Sequence, residues 1–134
     1  MLDRTSPHVL SMLSENEIFV FASCLNGQHK NGEAKVAMQF GAEINKSVGL
    51  VGQTYAIPIR HRNYQLLSLE EIEKHVYDFV KFVKRKKDLI FIVTEIACEK
   101  KEYQTTEIIK IFKDCFLLEN VMLPMSWWRS YHVS

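Results

Sequence analysis

Apolar positions fall into short unbroken runs separated by segments in which they recur every three or four residues. The run Glu17-Ile18-Phe19-Val20-Phe21-Ala22 is rich in β-formers and lacks polar alternation, which predicts a strand buried on both faces. It breaks at Ser23-Cys24-Leu25-Asn26-Gly27. Ala34, Ala37, Met38, Gly41 and Ile44 then return at helical spacing, predicting a helix from Gly32 to about Ile44 that packs through small residues. Lys46 to Gly52 reads as a loop. Thr54-Tyr55-Ala56-Ile57 reads as a strand stopped by Pro58, which has no N–H for a central ladder.

Ser68-Leu69-Glu70-Glu71 is a capping box, and a long helix follows with Leu69, Ile72, Val76, Phe79, Val80 and Val83 on one stripe. Acids fill its first turn and Lys84-Arg85-Lys86-Lys87 its last, as the helix dipole favours. Asp88 to Thr94 is the strongest strand signal and must be central. Thr105 or Thr106 caps a further helix carrying Ile108, Ile109, Ile111, Phe112, Cys115 and Phe116, and Asn120 to Leu123 returns as a short strand ended by Pro124. Residues 1 to 14 show no clean period.

Strand and helix alternate, so the expected fold class is α/β: a three-layer α/β/α sandwich with a mostly parallel or mixed central sheet and right-handed crossovers. Ligands of such sheets bind beyond the carboxyl ends of the strands. Here those positions are residues 23–32, 58–65 and 95–103.

The chain has 134 residues, the size of one domain, and its hydrophobic fraction of 47% is enough for a core without disulfides. Seventeen basic and 16 acidic residues give a net charge of +1 with the signs interspersed, which argues against nucleic acid as a partner. Cys24, Cys98 and Cys115 are an odd number without C-x-x-C spacing, consistent with a reducing cytoplasm. Neither a signal peptide nor a run of 18 apolar residues is present, so no membrane association is expected.

The first loop, Ser23 to Gly32, can turn backbone N–H groups toward an anion, with Gly27 and Gly32 allowing close approach; equally, the glycines serve the turn alone. Cys24, His29, His61 and Cys98 all follow strands. They could meet as a metal site or as a thiol nucleophile with a histidine base, or be ordinary small thiols beside solvated histidines, and no metal is assigned. Arg60, His61 and Arg62 form a basic loop. Trp127 and Trp128 suit either a base-stacking role or, in preference, the cover of a core end.

Several stretches together resemble a known family: Ile18 through His29, then Gly32 and Ala34, Gly52-Gln53-Thr54-Tyr55-Ala56-Ile57-Pro58, Leu67 through Glu73, Val93-Thr94-Glu95-Ile96, and Val121-Met122-Leu123-Pro124. They are similar to an uncharacterised family of small phage and prophage non-structural proteins, itself similar to macro domains, over about residues 17 to 128. The resemblance implies a macro-like domain that holds an ADP-ribose-like or nucleotide ligand at the strand-end cleft, without turnover and without a further cofactor. By the same carry-over, Asn26, Gly27, His29, Asn31 and Gly32 surround ribose and phosphate and Gly52 and Gln53 shape the floor; Ser23, Arg60 from the basic loop, and Tyr103 as an aromatic contact complete the expected ligand-binding set. The family's later loop reads Gly-Cys-Gly-x-x-Gly-Tyr, whereas this chain has Ala97-Cys98-Glu99-Lys100-Lys101-Glu102-Tyr103. Replacing glycines by Glu99 and Glu102 adds Cβ atoms and negative charge where a diphosphate needs bare N–H groups. The alternatives are a protein interaction module or homodimer with a degenerate pocket, and a hydrolase using Cys24 or Cys98 with His29.

Overall fold

The strand β1 (Glu17–Cys24) has apolar side chains on both sides of its pleat, and Ile18 to Phe21 are buried, so it can sit only inside a sheet. In the computed structural model, which describes residues 4–7, 12–30 and 32–133, it is the central strand of five. It pairs in parallel with β3 (Thr54–Arg60) on one side and with β4 (Ile90–Val93) on the other. The short β5 (Val121–Met122) extends the parallel set beyond β4, and β2 (Gly49–Val51) lies antiparallel at the opposite edge, giving the order β2-β3-β1-β4-β5.

Alternation along β1 sends its side chains to two cores. Ile18 and Val20 join Tyr55, Ile57, Phe91 and Val93 beneath α2 (Leu69–Arg85), α3 (Thr105–Ile111) and Trp127 of α4 (Met125–Val133). Phe19 and Phe21 face the other way, onto a smaller core with Ala56, Ala42 and Ala37 of α1 (Gly32–Ala37). The architecture is therefore a mixed sheet between helices, of the α/β/α type.

Local chemistry sets the boundaries. Ser68 Oγ accepts from the Glu71 N–H while Glu71 accepts from the Ser68 N–H, so the expected capping box starts α2. The helix expected to reach Ile44 instead ends at Ala37, tightens into a 3₁₀ turn at Met38–Phe40, and stops at Gly41, which is left-handed at φ 108°. Gly41 ends the helix because its backbone also abuts Gly52, where a Cβ on either residue would lie within 3.1 Å of the other's Cα. The segment expected to be a loop before Gly52 contains β2, folded back onto β3. Pro58 does not stop β3, because β2 pairs only with Thr54 to Ala56 and leaves that side of Pro58 without a ladder to serve. The expected third helix is shorter and is preceded by Gln104 rather than capped by Thr105 or Thr106, and Glu107 accepts from the Gln104 N–H. After Pro124 the chain forms α4, which periodicity did not reveal; Trp127 packs on Phe112 at 4.9 Å and closes the main core.

Of the segment 1 to 14, Leu2, Val9 and Leu10 lie outside the described residues, as does Asn31. Residues 4 to 6 run beside β5: Thr5 bridges Leu123 in parallel, and the Arg4 guanidinium donates to the carbonyls of Val121, Phe116 and Cys115 at 2.9–3.0 Å. Among the described residues no helix is long and apolar enough to cross a membrane.

Gly27 and Gly32 give a direct test of what the first loop's glycines do. Both have positive φ, 68° and 59°, but a Cβ at Gly27 would lie 2.6 Å from Asn45 Cα, whereas one at Gly32 meets nothing within 4 Å. Gly32→Ala is expected to cost about 1 kcal/mol from the left-handed backbone alone, and Gly27→Ala at least about 2 kcal/mol more, as read by urea denaturation. Equal losses would mean that the loop does not rest on Asn45 in solution.

Candidate functional site

Because β1, β3 and β4 run the same way, their trailing segments meet at one edge of the sheet. They enclose a cleft of about 260 Å³. Ser23 and Cys24 end β1 on its wall, Asn26 and His29 come from the first loop, Glu33 from α1, Arg60 from the end of β3, and Glu99, Lys100 and Glu102 from the segment after β4. Tyr64, left-handed at φ 70° and 53% exposed, also lines the cleft.

Several backbone donors of the cleft loops are engaged within the chain. In the first loop the Leu25, Gly27 and Gln28 N–H groups donate to Arg60 O, Cys24 O and Asn26 Oδ1. Asn26 Nδ2 in turn donates to Arg62 O, so its amide pins the turn. After β4, the N–H groups of Ile96, Cys98, Glu99, Lys101 and Tyr103 all donate to nearby carbonyls, and that of Lys100 donates to Glu102 Oε1. Ala97, at the position of a glycine in the resembled family, keeps the left-handed backbone at φ 61°. The left-handed conformation of a glycine loop persists at Ala97 while several of the loop's N–H groups are used internally.

Acceptors take their place. Glu33 Oε1 accepts from the Ala22 N–H and from Thr94 Oγ1, the latter at 2.6 Å, so one carboxyl ties α1 to the ends of β1 and β4. Glu99 lies beside it within hydrogen-bonding reach. Burial pushes the Glu33 carboxyl up to about 8; the bonds from Thr94 and Ala22 oppose the rise, and Glu99 adds to it. Burial thus favours the neutral Glu33 carboxyl at neutral pH. Glu102 spans the cleft to Arg60 at 3.5 Å, and Arg60 also donates to Tyr64 O. His29 is 7% exposed, with φ 52°, and packs edge-on against Phe21. Its Nε2 lies 3.2 Å from Lys46 O, which can only accept, so in the neutral ring Nδ1 is an acceptor, and that atom has no partner.

The cysteines and histidines do not converge. Cys24 Sγ donates to His61 O, His61 faces Glu71 at 3.7 Å on the outside of the basic loop, and Cys98 turns toward Thr105 and Trp127. Desolvation raises the Cys98 thiol to about 11 and the buried Cys115 thiol to about 12, which leaves both protonated and poorly nucleophilic at neutral pH. Among the described residues, no three His, Cys, Asp or Glu side chains are grouped to hold a metal ion.

Of the residues expected to bind ligand, Ser23, Asn26, His29 and Arg60 line the cleft. Gly27 supports the loop against Asn45, and Gly32 opens α1. Gln53 is placed at the other end of β1, where its amide donates to Ser14 O and Glu17 O. Tyr103 is held away from the cleft, its hydroxyl donating to Leu67 O at 2.6 Å. Glu33, Glu99 and Tyr64 were missed as a set. Glu33 and Glu99 are 66 positions apart, and only the parallel crossover brings them together; the signal open to sequence reasoning was an acid on each of two post-strand segments.

No family model, curated protein or solved structure matches the chain.

The Glu33 carboxyl makes stability depend on pH in a stated direction. Its ordinary value is 4.5 and its folded value about 8, so between these the folded protein holds a proton that the unfolded chain has lost, and stability falls as pH rises through the interval. Glu33→Gln keeps the acceptor oxygen and removes the titration. Relative to the parent, the variant is expected to gain unfolding free energy steadily from pH 5 to pH 8; a difference that stays flat would show an ordinary, ionised Glu33.

Proposed function

We propose that this chain is a macro-like α/β domain, akin to the phage and prophage family it resembles, that binds a ribose-bearing ligand of the nucleotide or ADP-ribose-like class at the strand-end cleft without turning it over. The observation that carries the reading is the meeting of three post-strand segments around one cleft that combines a buried, partnerless His29 nitrogen with an exposed aromatic ring at Tyr64. A protonated thiol at Cys98, and a Cys24 thiol that already donates to His61 O, favour binding over thiol hydrolysis.

A panel of ADP-ribose, NAD, mononucleotides and nucleosides tests it by thermal shift. At one hundred times its Kd a true ligand stabilises the fold by roughly 2.7 kcal/mol, readily seen as a rise in Tm. Ala34→Leu, which adds bulk to the cleft wall from α1, is expected to abolish that rise. The reading fails if no member of the panel shifts Tm at millimolar concentration.

The second reading is an interaction module whose pocket is closed by its own side chains. The Arg60–Glu102 pair across the cleft favours it. A strict monomer by light scattering removes its homodimer form.

A further inference from the structure

We propose that two copies of this chain pair through the free edge of β2, antiparallel about Leu50, so that their sheets join into one and their α2 helices lie side by side in opposite directions. The surface is separate from the strand-end cleft, which none of Ile44, Val48 and Leu50 lines, so the inference holds under either reading of that cleft.

The two edges of the sheet differ. Beyond β5, residues 4 to 6 close the ladder: Thr5 bridges Leu123, the Ser6 N–H donates to Leu123 O, and the Leu123 N–H donates to Arg4 O. Among the described residues, nothing pairs with the outer side of β2. The two-residue turn at Gly52 and Gln53 makes Val51 and Thr54 a hydrogen-bonded pair, so the alternation of an antiparallel ladder turns the Leu50 N–H and C=O outward, away from β3. An open edge is commonly guarded by charge or proline. Residues 47–52 carry neither, and Ile44, Val48 and Leu50 are 42–53% exposed.

Charge is what selects a second copy as the occupant. Leu50 is paired with Tyr55, which packs beneath α2 against Phe79 and Phe82, so the Leu50 side chain stands on the α2 face of the sheet. Asp78 and Arg85 lie on that flank of α2, both near enough to the Tyr55 hydroxyl to bear on its ionisation. Both are exposed, and among the described residues no ion pair engages either. A two-fold axis at Leu50 keeps the two α2 helices on one face and reverses their directions. It passes at the level of Tyr55, hence close to Phe82, which is near midway between Asp78 and Arg85. Asp78 of each copy then faces Arg85 of the other. Three strand spacings, about 14 Å, separate the two β3 strands, a gap that these side chains can bridge. The acidic first turn of each helix, Glu70 and Glu71, likewise lies toward the basic last turn, Lys84 and Arg85, of the other. A foreign strand brings no such match.

The test is sedimentation equilibrium of the full chain, with hydrogen exchange followed by NMR. The parent is expected to form a reversible dimer of twice 15.7 kDa, with the Leu50 amide protected only as the dimer forms. Leu50→Lys, which sets two like charges at the axis, is expected to weaken association at least about tenfold while the circular dichroism spectrum stays unchanged. Asp78→Arg and Arg85→Asp are each expected to weaken it severalfold, and Asp78→Arg/Arg85→Asp to recover to within about threefold of the parent. A chain that stays monomeric at millimolar concentration overturns the proposal, as does a Leu50 amide protected only by an added peptide of alternating Thr and Val. A dimer indifferent to Leu50→Lys uses another surface and overturns it equally. A double variant as weak as the single ones overturns the antiparallel helix pairing. The parent's mass and exchange decide the matter even where a variant does not fold, and none of these outcomes bears on ligand binding at the cleft.

Discussion

The burial of β1 on both faces is the constraint from which the rest follows. A strand with apolar groups on each side of its pleat cannot lie at an edge or under a single layer of helices, so it must have neighbours in the sheet and cover above and below. β3 and β4 supply the neighbours, α2, α3 and α4 the cover on one face, and α1 on the other. Parallel pairing with both neighbours then sends three chain segments out at the same edge. The cleft is a consequence of the sheet's direction before any of its side chains is considered.

Within that edge, Glu33 is the tie. By accepting from the Ala22 N–H and the Thr94 hydroxyl it joins the ends of two strands through the first turn of α1, and its neighbour Glu99 brings in the segment after β4. Desolvation favours the neutral Glu33 carboxyl, and the neighbouring Glu99 adds to that preference. Glu102 behaves alike toward Arg60 and the Lys100 N–H. Acids that read, along the sequence, as damage to an anion-binding loop are here parts of a satisfied network that keeps the loop's left-handed turns at Ala97 and Lys101 without glycine.

The fold class was legible because it depends on signals that are local: the unbroken apolar run of β1, the capping box and single stripe of α2, the apolar run of β4. The errors fall where a tertiary contact overrides a local pattern. Gly41 fits a helical spacing, yet its contact with Gly52 ends the helix; Pro58 ends a strand in isolation, yet β3 passes through it where β2 no longer pairs. In the site, Ser23, Asn26, His29 and Arg60 could be found because each lies at the carboxyl end of a strand or in the loop that leaves it. Gln53 and Tyr103 were placed by resemblance alone, and their side chains are engaged elsewhere, with Ser14 and Glu17 in one case and Leu67 in the other.

The sequence by itself determined the four strands β1, β3, β4 and β5, that the sheet has helices on both faces, and at which edge the polar loops emerge, because burial and hydrogen bonding impose those outcomes segment by segment; the edge strand β2 it did not mark. Tertiary structure alone decided which donors are engaged and which carboxyl is held neutral by burial. Those properties belong to atoms brought within 3 Å of one another across 61 positions of chain, as Glu33 is to Thr94, with Glu99 as a further neighbour. No one-dimensional pattern records that distance.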